Sequence, residues 1–183
     1  MTTQDLITNF LNVTAEVYQE AKKLLGLSYQ QLNWRPSEKQ WSAGECFEHL
    51  IRTNKKYIPE YQKFSPSGFE NKHQGFKHSF VGKLLYNRMK PENTKRMKTP
   101  ASFNPIGSDI NESIVKDFLH QSNEIIELIN KIEVSKLNVI IRSPFANYIK
   151  YSIGDSLMIM AYHNLRHIKQ AQRVTQSEGF PSS

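Results

Sequence analysis

The chain of 183 residues has one cysteine, Cys46, so it has no intrachain disulfide and no multi-cysteine zinc or iron–sulfur site. Long apolar runs are missing as well. The longest, Leu157 to Tyr162, is far too short to cross a bilayer. The opening residues Met1–Phe10 have no basic region and include Asp5, so they are not read as a signal peptide. A reducing cytoplasm and no membrane partner are therefore expected. Glycine and proline number 8 each and hydrophobic residues make up 38%, which excludes a collagen-like or disordered chain. Acidic residues are scarce in one place only. Residues 72–98 hold 8 Lys/Arg against Glu92 alone, whereas residues 1–71 and 99–183 are each balanced at 8 and 8, so the whole net charge of +7 lies in that middle block. Such a block attracts polyanions or is a solvated surface.

What is present is helical periodicity. Ile7, Phe10, Leu11, Val17, Tyr18, Ala21, Leu24 and Leu25 recur at three- and four-residue steps, with Thr2 as a cap and Gly26 as the end. Ser42 to Glu45 reads as a capping box for a second helix with Phe47, Leu50, Ile51, Asn54, Ile58 and Tyr61 inward. Pro59 is expected to kink that helix or end it. Phe80, Leu84, Leu85 and Met89 suggest a shorter helix. A third long helix is expected from Ser108 or Asp109, with Ile110, Ile114, Phe118, Ile125, Ile129 and Ile132 as its stripe. Leu137 to Arg142 reads as extended, and Ser143–Pro144 turns the chain. Ser152 to Asp155 is a second capping box, opening a last helix that buries Leu157, Met160, Ala161, Leu165 and Ile168. The fold class is therefore all-α. A four-helix bundle fills one domain, 1–183, with a short extra helix, a long connection between helices 3 and 4, and strand content near zero.

Six histidines are present: His49, His73, His78, His120, His163 and His167. His163 and His167 stand one turn apart, about 40° on a helical wheel. They flank the core stripe of the last helix, roughly 80–120° from Leu157. His49 lies roughly 140° from the centre of its own stripe, at the surface or in a cleft. A cleft shared by His49, His163 and His167 supplies three nitrogen ligands, the count of an open metal site. The spacing also occurs on plain surface helices. No Glu follows His163, so the zincin protease motif is absent. Cys46, one turn before His49, is a possible fourth ligand or a small core residue. His120, His73 and His78 are read as surface residues. Gln170 shares the face of His163 and His167 and is a candidate to orient them. Glu45 either orients His49 as a base or simply closes the capping box. Arg166 and Lys169 are candidates for holding an anionic substrate. Trp34 and Trp41 are read as packing at the end of the bundle.

Several motifs, taken in order, resemble those of the DinB-like superfamily. Trp34-Arg35-Pro36, Trp41-Ser42, Glu45 and His49-Leu50 match its N-terminal signature, and His163, Arg166-His167 and Gln170 its C-terminal one. Met97-Lys98-Thr99-Pro100, Phe103 and Pro105 resemble a connecting stretch. Ser143-Pro144-Phe145 and Ile153-Gly154-Asp155 resemble the approach to the last helix. The resemblance implies a four-helix bundle, a divalent metal (often zinc or nickel) on His49, His163 and His167, and a homodimer. It also implies thiol S-transferase or isomerase chemistry with a low-molecular-weight thiol such as bacillithiol or mycothiol. Metal-dependent hydrolysis is the alternative. A module binding nucleic acid through residues 72–98, with Phe76, Phe80 and Tyr86 stacking on bases, is the lesser reading.

Overall fold

The computed structural model describes residues 1–64, 75–93, 95 and 98–182. The expectations placed on Lys72, His73, Arg96 and Met97 lie outside these residues.

The chain is mostly helical. Helix α1 (Thr3–Lys22) opens with Thr2 and Asp5 exchanging side-chain-to-backbone bonds, the capping box that satisfies its free N–H groups. It ends before a turn at Gly26, whose φ of +91° favours glycine. Leu6, Phe10, Val13, Val17 and Ala21 are its buried stripe, whereas Leu11 and Leu25 face solvent. A short helix α2 (Tyr29–Asn33), not foreseen, is closed by its own capping box between Ser28 and Gln31. Helix α3 (Ala43–Gln62) starts on the expected Ser42–Glu45 box and runs on past Pro59. Helix α4 is Phe80–Met89, α5 is Ile114–Ile129 and α6 is Ile153–Thr175. Helix α6 packs against α1, α3 and α4, and α5 packs against α3 and α1.

Two expectations are corrected. Strand content is not near zero, because β1 (Ile140–Ser143) and β2 (Ala146–Ser152) pair as an antiparallel hairpin leading straight into α6. The β-branched run Val139–Ile141 explains β1. The return strand works because Ile141 and Tyr151 pair on the buried face while Arg142 and Lys150 pair on the outer one. The start of α5 moves to Ile114. Asn33 bonds both the N–H and the carbonyl of Ile110, and the Asn111 side chain accepts from Ser113 N–H, which holds this stretch out of the helix. Ile110 is instead a plug over Gly44, where a Cβ would overlap it. That plug fixes the first turn of α3, and so the height of His49 one turn further along.

Candidate metal centre

His49, His163 and His167 come together. One ring nitrogen from each lies within 4.8 Å of the other two. His49 is buried on α3, and its ring centre is 5.1 Å from that of His163 and 4.7 Å from that of His167. The outer nitrogens of two of them are already committed. His49 Nδ1 donates to the Phe103 carbonyl at 2.8 Å, and His167 Nδ1 donates to Gln170 Oε1 at 3.0 Å. A carbonyl oxygen only accepts, so both protons sit on Nδ1 and both Nε2 lone pairs are free. His49 Nε2 and His163 Nε2 are 3.1 Å apart. Two lone pairs do not face each other at that distance, so a proton or a shared cation belongs between them.

Electrostatics prepare the same site. Burial holds His163 down to about 3, helped by the neighbouring His49 ring and Arg166. Burial pushes His167 well below the usual imidazole range, with His163 and His49 acting the same way and the Gln170 bond opposing. Burial also lowers His49, against the Phe103 bond. All three are neutral near pH 7, the form that ligates metal. Imidazole nitrogens about 2.0–2.1 Å from one tetrahedral ion lie about 3.3 Å apart, so the three would close by about 1.5 Å at most. The donor set fits a divalent cation.

The surrounding residues divide into those that serve the cluster and those committed elsewhere. Gln170 orients His167, as its spacing suggested. Glu45 is fully buried and accepts four bonds: two from Arg35, at 2.9 and 2.7 Å, one from Ser42 N–H and one from Gly107 N–H. Its oxygens are occupied by the capping box and by the 98–107 connection. Cys46 is buried, burial pushes its thiol up, and it does not join the histidines. Arg166 donates to the carbonyls of Arg88, Asn93 and Lys95, tying the end of α4 beside the cluster. Lys169 pairs with Glu16 at 3.0 Å. Trp34 packs edge-on against Phe180 at the end of the molecule, as read. Trp41 does more than pack there. It covers His49 and stacks on His167, with its indole N–H on Asn104. The N-terminal motif contains Trp41 without giving it this contact, which depends on how the 98–107 connection returns. His120 is exposed, as expected. His78 is not a surface residue: it donates to Asp155 at 2.6 Å and packs between Phe76 and Tyr86.

The described histidines thus place the predicted triad, its two orienting partners and an aromatic wall around one point. No curated protein and no solved structure matches the chain. The DinB superfamily model matches residues 14–171, a span that contains all three histidines. The chain belongs to the DinB superfamily.

Proposed function

We propose that His49, His163 and His167 hold one divalent cation, zinc or nickel, and that the chain is a metal-dependent enzyme of the thiol S-transferase type. The observation that carries this reading is the convergence of three neutral imidazoles, two of whose outer nitrogens are already engaged. In this reading the four long helices form a four-helix bundle around the site. The protein works as a homodimer in the cytoplasm.

Each nearby residue has a part. The Phe103 carbonyl and Gln170 fix the tautomers, so that no proton blocks Nε2 of His49 or His167. Trp41 covers two of the rings and keeps water from that side. Glu45 acts at one remove, binding the start of α3 to Arg35 and Gly107 and so setting the position of His49. When bound, the cation supplies positive charge that turns an incoming thiol into a thiolate nucleophile. Among the described residues no carboxylate joins the three nitrogens, and the oxygens of Glu45 are committed. A cation held there would lower the pKa of a bound water in the same way, so hydrolysis without a carboxylate base is the alternative reading.

The test is calorimetry of the cobalt-loaded protein with bacillithiol and with glutathione, followed by its absorption spectrum. Thiol binding with a sulfur-to-cobalt charge-transfer band supports the reading. A metal-replete protein that binds no thiol removes the transferase version.

A further inference from the structure

The histidine centre does not use α4 or the hairpin beside it. On α4, Phe80 is 85% exposed and Leu84, one turn on, is 58% exposed. Their spacing suggested the helix, but only Leu85, Tyr86 and Met89 turn towards the core. Gly82 fixes that choice, because it lies so close on Asp155 that a Cβ would overlap the carboxylate. Strand β2 packs against α4, and the outer face of the hairpin adds Tyr148 at 86% and Ile140 at 55% exposure. Residues 75–91 and 134–154 hold seven Lys/Arg and no Asp or Glu. These bare apolar side chains stand in a net cationic surround, with Glu92 and the Lys136 partner Glu133 at its ends.

We infer that the face made by α4 and the hairpin docks on an anionic lipid bilayer. Phe80, Leu84 and Tyr148 enter the headgroup boundary, and Lys83 and Lys150 meet the headgroups. Charge complementarity requires an anionic partner. A second copy on a two-fold axis would set these cations against themselves. Phe80 and Tyr148 are almost fully exposed, so they are projections that enter a soft apolar medium rather than the walls of a groove. A nucleic acid offers phosphates to the lysines but nothing apolar to Leu84 or Ile140. Peripheral docking needs no spanning segment, and among the described residues no helix is long and apolar enough to cross a membrane.

The test is sedimentation of the full chain with vesicles of phosphatidylcholine alone and with phosphatidylserine added. The wild type binds only the phosphatidylserine vesicles, and less as salt rises. Phe80→Ser/Leu84→Ser and Lys83→Glu/Lys150→Glu, all at exposed positions, each lose roughly tenfold in partition with an unchanged circular dichroism spectrum. Four results overturn the inference: no vesicle binding at low salt; an apolar variant that binds as well as wild type; tighter binding to a single-stranded oligonucleotide; or a lipid-free dimer that the apolar variant dissociates.

Discussion

Helix α6 meets a histidine from another element at two places, and the two encounters differ in what the imidazole faces. At its first turn, His78 faces Asp155. That fully buried carboxylate also accepts from Ser79 N–H and Oγ at 3.0 and 2.7 Å, and from Ser152 N–H at 3.2 Å. It caps α6 and α4 together, and every donor has its acceptor. Two turns along, His49 faces His163 and His167, and among the described residues no carboxylate joins them. There the acceptors are a backbone carbonyl and an amide, which hold the rings without neutralising anything at the centre. An imidazole given an anion becomes a structural bond. Imidazoles given only one another share a proton or offer their lone pairs to a cation.

The comparison breaks most sharply at Asp155. Asp155→Ala strands the buried donors of His78, Ser79 and Ser152, at about 1–3 kcal/mol for each unpaired group. A loss of about 3 kcal/mol or more is expected in urea unfolding, with metal content per folded chain unchanged. A metal loss in the folded variant would mean the two places are one system.

Acid comes next. His163 has a folded value of about 3, below its ordinary value of 6.5. Below pH 6.5 the unfolded chain therefore binds the proton that the folded chain refuses. The stability this group gives is whole above 6.5 and falls as pH drops towards 3, by up to about 1.4 kcal/mol per pH unit. His163→Ala flattens the acid limb of the stability curve of metal-free protein by one proton. An identical slope in the variant would contradict the burial argument.

Gln170→Ala sharpens the comparison on the other side. It frees the His167 tautomer and weakens zinc binding by about ten- to a hundredfold in chelator competition. Metal-free stability shifts by less than about 1 kcal/mol, because the bond is half-exposed. An unchanged affinity would show that Gln170 does not orient the ring.

Much of this was legible from residue order. The capping boxes at Ser42 and Ser152 and the cap at Thr2 are local patterns, and each closes as read. The histidine spacing on α6 is also local. His49 was reachable because an off-stripe position leaves few choices. The misses depend on distant partners. Ile110 looks helical by period, yet Asn33 holds it in a turn. Phe80 and Leu84 look like core by period, yet the contact of Gly82 with Asp155 turns them outward. His78 sits in a basic stretch that reads as surface, and its acceptor lies 77 residues away. Trp41 reads as packing because the loop that brings it onto the rings has no periodicity at all.

The most direct measurement is metal content by mass spectrometry on untagged protein, for wild type, His163→Ala/His167→Ala and His78→Ala. One zinc or nickel per wild-type chain, none in the double variant and full occupancy in folded His78→Ala is the predicted result. Wild type that stays empty after incubation with both metals, or a double variant that keeps its metal, would contradict the assignment of the three histidines.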